Sequence, residues 1–228
     1  MGSLGKLFSH LKSGRFDLIG GAIRERIPWW LFHRGKASLF ELARPDEGTV
    51  RSRSEMPKGY VCRPAARDEM PACSRITGID VSEYYRRFDA GDICYGVFAG
   101  DKAVNINWVH TGACYVRGVG YRHNGKLSDR YVYGIMTDPA ERGKGLYKNC
   151  LVNLAGYLFE TGAQRIIQMV EEGNTPVLTT LPQLGYRRTQ EVRHMAILGV
   201  KRTEVIDSTS ENSTVRWFVS APDDRFVI

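Results

Sequence analysis

The segment Tyr131 to Tyr147, YVYGIMTDPAERGKGLY, constrains this chain more than any other stretch. An aromatic and β-branched run reads as a strand, Asp138-Pro139 breaks it, and Arg142-Gly143-Lys144-Gly145 makes a tight turn before the helical run LYKNCLVNLAGYLF. The amides of a helix's first turn have no partner within the helix, so a strand, a glycine turn and a helix start together create an anion site. Arg142 and Lys144 add two cations, and Gly143 and Gly145 let the backbone approach phosphate oxygens. The expected ligand group is a pyrophosphate.

Spacing separates the kinds of phosphate loop. A nucleoside-triphosphate loop needs two glycines followed by Lys and Ser or Thr, and a dinucleotide loop needs three glycines and a later acidic residue. Neither pattern is present. The motif here is Arg142-x-x-Gly145-x-Tyr147, with Asn174 about thirty residues on and Leu184-Gly185-Tyr186 after it. From Tyr131 to about Val200 the chain resembles the GNAT superfamily of acyl-CoA N-acyltransferases, and over Gly59 to Arg130 only the order of elements is similar. The loop departs from the family pattern at Tyr147, where Gly or Ala is usual. The resemblance implies that acetyl-CoA or another acyl-CoA is the co-substrate. It would be held by Ile135, Met136 and Thr137 along the pantetheine, by Arg142, Gly143, Lys144, Gly145, Leu146 and Tyr147 at the pyrophosphate, and by Asn174.

The rest of the chain fits an α/β fold built on a mixed, mainly antiparallel sheet flanked by helices. A strand is expected over Gly59 to Arg63, a helix from Asp68 to Arg75 and another from Asp80 to Phe88, with Asp80 or Ser82 as its cap. Ile93 to Phe98 and Ala103 to Val109 around Gly100-Asp101 form the clearest hairpin signal. Cys114 to Tyr121 and Asp129 to Thr137 read as strands separated by His123-Asn124-Gly125. Leu146, Cys150, Leu151, Leu154, Tyr157 and Leu158 then recur at three and four, as a half-buried helix requires, and Gly162 ends it. Arg165 to Val170 must lie parallel to Asp129 to Thr137, because a helix joins them. Asn174 should cap a last helix stopped early by Pro182, with Tyr186 to Val200 and Ser213 to Ser220 as closing strands. The family resemblance implies that the two parallel strands splay apart to admit the cofactor.

Composition sets the outer limits. The 228 residues, 43% hydrophobic, are enough for one core, read as a catalytic domain over 59–228 preceded by an extension and loop over 1–58. Residues 1–36 carry seven basic side chains against Asp17 and Glu25, a net of +5 out of the chain's +7. Leu4, Leu7, Phe8, Leu11 and the Trp29-Trp30 pair run through this arm. It reads as a basic amphipathic extension that packs on its own domain, lies on an anionic membrane surface or meets an acidic acyl carrier protein. Nucleic acid is not favoured, since apolar interleaving suits a phosphate-tracking surface poorly. No apolar run is long enough to span a bilayer and the start lacks a secretory pattern, so a cytoplasmic, at most membrane-peripheral, location is expected. The five cysteines are odd in number and scattered, which predicts free thiols and no metal.

If the donor is an acyl thioester, an amine must attack it, and an amine of pKa about 10.4 is neutral in roughly one molecule per thousand at pH 7.4. A proton acceptor is therefore useful. The family often places a carboxylate eleven residues before Arg142, where this chain has Tyr131. Asp129, two residues earlier on the same strand face, is the nearest carboxylate, and its alternative role is that of a turn residue. The family's thiol-protonating Tyr falls seven residues after Asn174, at Leu181, which leaves Tyr186, Tyr147 or water for that step. Tyr186 is better suited to the family's core aromatic position after Gly185. Asn105, Asn107, Trp108, His110, Tyr84, Tyr85 and Arg86 are placed near an acceptor cleft, each with an ordinary packing alternative. Two other functions stay open: a GNAT-like module that holds CoA without turnover, and a basic adaptor acting through residues 1–36.

Overall fold

The computed structural model describes residues 32–45, 53–116, 119–197, 200–208 and 213–218. In chain order these form β1 (Phe32–Ala43), β2 (Val61–Pro64), α1 (Met70–Thr77), α2 (Val81–Asp89), β3 (Ile93–Ala99), β4 (Lys102–Thr111), β5 (Cys114–Val116), β6 (Tyr121–His123) and β7 (Asp129–Thr137). There follow α3 (Leu146–Glu160), β8 (Arg165–Glu171), α4 (Thr175–Gln183), β9 (Arg187–Ile197), β10 (Val200–Asp207) and β11 (Ser213–Phe218). The basic arm expected over 1–36 lies outside the described residues up to residue 31. No described helix is long and apolar enough to cross a membrane.

Nine strands form one sheet in the order β11-β10-β9-β1-β8-β7-β4-β3-β2, with β5 and β6 paired separately. Every described pairing is antiparallel except β7 with β8, where the α3 crossover forces the strands to run the same way. The fold is thus the mixed α/β sheet that the sequence implies.

Period-two alternation sends neighbouring residues to opposite faces. Val132 and Ile166 join Leu146, Leu151, Leu154 and Leu158 of α3 in one core. On the other face Ile106 and Trp108 pack beneath α1 and α2 with Met70, Cys73 and Tyr84, while Tyr131 and Ile167 pack with Cys114 and Tyr121 of the small hairpin. Asp80 caps α2 as anticipated, accepting from the Ser82 amide at 2.8 Å.

Four details differ from the sequence reading. The single strand expected over Cys114 to Tyr121 is two strands of a hairpin, with Gly120 at φ +63 in the turn. The strand β1 is twelve residues long and sits between β8 and β9, so residues 32–43, which the sequence reading placed in the extension, share the sheet. The stretch Tyr186 to Val200 ends at Ile197, and β10 folds back on it from Val200. Pro182 does not stop α4 early, because the helix closes beyond it through the Leu184 amide to the Leu181 carbonyl, 3.0 Å, and the Tyr186 amide to the same oxygen, 3.1 Å.

Candidate active site

The parallel pair carries only four rungs, Asp129 with Arg165 through Val132 with Gln168. Beyond Val132, β7 runs on to Thr137 and β8 to Glu171 with no further rung between them, so the strands part. A bulge helps to turn β7 away. Between Trp108 paired with Tyr133 and Ile106 paired with Met136, β7 holds one residue more than β4, and Gly134 sits there at φ +56. A Cβ on Gly134 would lie 3.2 Å from Trp108 Cδ1, so both conformation and space favour glycine.

At the open end of the splay, Asp138 accepts from the Ala140 amide at 3.0 Å and caps a short 3-10 turn, Pro139–Glu141. Gly143 at φ +80 and Gly145 at φ +72 then swing the chain into α3. Gly145 is the N-cap and no side chain accepts from the helix's first amides. Nothing lies within 4 Å of where a Gly143 Cβ would be. Lys144 folds back, its ammonium 2.7 Å from Glu141 Oε2 and 3.0 Å from the Tyr60 hydroxyl, and these bonds raise its pKa. Arg142 Nε donates to the Thr137 carbonyl oxygen at 3.4 Å.

The crotch between the strands is polar. Gln168 is 3% exposed, donates to the Tyr147 hydroxyl at 3.4 Å, and its Oε1 is a buried acceptor with no donor. Burial pushes the Tyr147 hydroxyl up to about 12, so it stays protonated near neutrality. An acceptor left bare is costly unless something donates to it, and the amide N–H groups of a pantetheine arm would supply that bond. Gln168 escaped the sequence reading, although one amide inside the apolar run Arg165 to Val170 was a usable signal. Ile135, Met136 and Thr137 line the part of β7 beyond the last rung. Asn174 is exposed at the start of α4, its amide donating to the Glu171 carbonyl oxygen at 3.0 Å, and its side chain makes no capping bond.

The proposed acid and base residues are spread more widely. Asp129 sits at the first rung, eight residues from Thr137, where it accepts from Arg165 Nη2 at 2.8 Å, Arg165 Nε at 3.2 Å and the Lys126 amide at 2.8 Å. Burial works to raise its pKa, but the bonds from Arg165 and the amide prevail and hold the carboxyl below its usual range. Tyr131 is 2% exposed among apolar neighbours, and that burial raises its hydroxyl well above the ordinary value. Leu181 and Tyr186 both pack into the α3 core.

Of the residues read as flanking an acceptor cleft, Asn105 and Asn107 are buried and bonded to each other, Nδ2 to Oδ1, at 2.8 Å. Trp108 and Tyr84 meet edge to face at 5.3 Å. These serve packing. His110 instead contacts Asp92, a residue the sequence did not single out, and Asp92 also accepts from Tyr133.

No protein-family model and no curated protein sequence matches this chain. Its likeness to solved structures is clear. A GCN5-related N-acetyltransferase from Sphaerobacter thermophilus superposes with a TM-score of 0.54 at 10% identity, covering 83% of this chain and 69% of that one. A GCN5-related N-acetyltransferase-like protein from Streptococcus suis gives 0.52 at 14%, with 78% and 67% covered. An acetyltransferase of the GNAT family from Novosphingobium aromaticivorans gives 0.51 at 15%, with 78% and 66% covered. The chain therefore spans about two thirds of the length of these structures. Its fold is that of the GNAT superfamily, with the splayed parallel pair and the glycine loop at the head of α3 in their expected order.

Proposed function

We propose that this protein is an acyltransferase that moves an acetyl or other acyl group from acyl-CoA to an amine by direct attack, the acceptor being a small molecule or a protein amine. The observation that carries the reading is the opening of β7 from β8 after Val132 and Gln168, which leads to a helix start with two positive-φ glycines. The amides around Gly143 and Gly145 would hold the diphosphate, with Arg142 and Lys144 as neighbouring cations, and Gln168 would accept from the pantetheine. When bound, acyl-CoA would supply a thioester whose carbonyl is open to a nucleophile. The β7 segment Ile135 to Thr137 would orient it, and a backbone amide there is suited to the charge that develops on the carbonyl oxygen. A thiol pKa near 8.5 lets the thiolate depart without a dedicated acid, which accommodates Leu181.

A second reading, CoA binding without turnover, is favoured by the buried Leu181 and by the engagement of Asp129 with Arg165. Thermal shift and thiol release test both. Acetyl-CoA or a longer acyl-CoA at 100 times its dissociation constant should stabilise the fold by about 2.7 kcal/mol. Gly145→Glu should abolish that shift in a protein that still folds, because it places a carboxylate at the diphosphate position on a left-handed residue. An undiminished shift in the variant would remove this turn from the binding site. Binding without thiol release across a broad amine panel would favour the second reading. The extension over 1–31, as a contact for an acyl carrier protein or an anionic membrane, belongs to the same proposal and is testable by deleting it.

A further inference from the structure

The sheet face beneath α1 and α2 holds a polar chain that the acyl-CoA contacts leave unused. Tyr133 is the first β7 residue past the last rung shared with β8, and its hydroxyl donates to Asp92 Oδ2 at 2.5 Å. Asp92, 8% exposed at the junction of α2 and β3, places Oδ1 2.7 Å from His110 Nδ1. His110 Nε2 in turn lies 3.2 Å from the Ala113 carbonyl oxygen, and the imidazole is 13% exposed.

The contacts are satisfied together in one protonation state, the one the chain reaches after taking up a proton. A carbonyl oxygen only accepts, so Nε2 carries a hydrogen, and a carboxylate only accepts, so Nδ1 facing it carries one as well. The fully satisfied arrangement is an imidazolium, a carboxylate and a phenol. Its surroundings are charged on several sides. From α2, the Arg87 guanidinium lies 5.3 Å from the Tyr133 ring centre and both Arg87 and Arg86 are bound to Glu83, at 2.8 and 2.7 Å. On the hairpin side are Cys114 of β5, whose thiol is pushed up by burial and by the nearby Asp92 charge, and His123 of β6, lowered by burial and, among nearby charges, by His110. The hydrogen bond that His110 donates to Asp92 when protonated is the main reason that its pKa is raised.

We propose that Tyr133, Asp92 and His110 form the route by which the acceptor amine loses its proton, with the Tyr133 hydroxyl facing the attacking nitrogen. The inference rests on the acyl-transfer reading. As nitrogen bonds to the acyl carbon, the carbon–sulfur bond breaks and sulfur leaves with the electron pair. Starting from His110 with its single hydrogen on Nε2 and from the Asp92 carboxylate, one proton of the amine passes to the Tyr133 oxygen, the tyrosine's own proton passes to Asp92, and from Asp92 a proton passes on to His110 Nδ1, which leaves the phenol, the carboxylate and an imidazolium. His110 must begin neutral, so turnover rises with pH through the His110 pKa. Tyr133 is the catalytic residue of the three, and Asp92 and His110 are positioning residues. The role that the family gives to a carboxylate at the position of Tyr131 is met by Tyr133, two residues on along β7, backed by Asp92 and by His110 of β4.

The test uses the full chain with acetyl-CoA and a panel of polyamines, amino sugars, peptide N-termini and lysine peptides, read by thiol release from pH 6 to 9. Thermal shift with acetyl-CoA is run on every variant. Tyr133→Phe is expected to keep the acetyl-CoA shift and lose about 100-fold in kcat. His110→Gln is expected to flatten the pH profile. A Tyr133→Phe enzyme within twofold of the wild type with the same profile overturns the route and leaves the acyltransferase reading standing. Failure of the wild type to bind acetyl-CoA removes both. If acetyl-CoA binds and no amine in the panel turns over, the His110 imidazole resonance decides. A titration that moves on acetyl-CoA binding and again in Tyr133→Phe supports the route, and one unmoved by either overturns it.

Discussion

Asp129 anchors the first rung of the parallel pair through its bonds to Arg165 and to the Lys126 amide. The carboxylate is 3% exposed and holds the Arg165 guanidinium, which also reaches Glu41 at 3.2 Å. Removing one partner of a buried pair leaves an uncompensated charge, and because Arg165 is partly exposed and keeps Glu41, Asp129→Asn is expected to cost about 2 kcal/mol. The folded pKa lies below the unfolded value of about 3.9, so this stabilisation is present above about pH 4 and drains away as pH falls through the folded value. Urea unfolding at pH 7 and pH 3 should show the gap between wild type and variant narrowing at the lower pH. A gap equally large at both would mean that the carboxylate's charge is not what stabilises. The side-chain type was visible in the sequence, but its partner, thirty-six residues away across a parallel rung, was not.

The elements around the cleft were better announced. β3, β4, β7 and α3 fall where alternation, turn residues and the three-and-four spacing place them, because each signal is local. The bulge in β7 was not foreseen, since Gly134 inside a strand pattern has several explanations and only the offset against β4 selects one. Gly134→Ala is expected to cost about 1–2 kcal/mol, from the left-handed backbone and the crowding against Trp108. A lower urea midpoint would register it, and an unchanged midpoint would show that β7 can straighten there without loss. The β5–β6 hairpin was missed for a related reason: its turn is set by Gly120, not by the His123-Asn124-Gly125 run that carries the stronger turn composition.

For the molecule as a whole, β1 is the element that ties the two halves of the sheet together. It pairs with β8 over seven residues and with β9 over ten, so a fragment starting at Gly59 would expose two long open edges. Such a fragment is expected to be insoluble or unfolded, as gel filtration and circular dichroism would reveal; a soluble, cooperative 59–228 would mean that β8 and β9 can close on each other. By itself the sequence determined the glycine turn ahead of α3, the parallel crossover and the mixed fold, because loop chemistry, helix period and connection handedness are written within about forty consecutive residues. Only the tertiary structure decided where β1 inserts, that Gln168 is left bare in the splay, and that Tyr133, Asp92 and His110 meet. Those contacts join residues far apart in the chain, and which side chains meet across strands is not set by their neighbours in sequence.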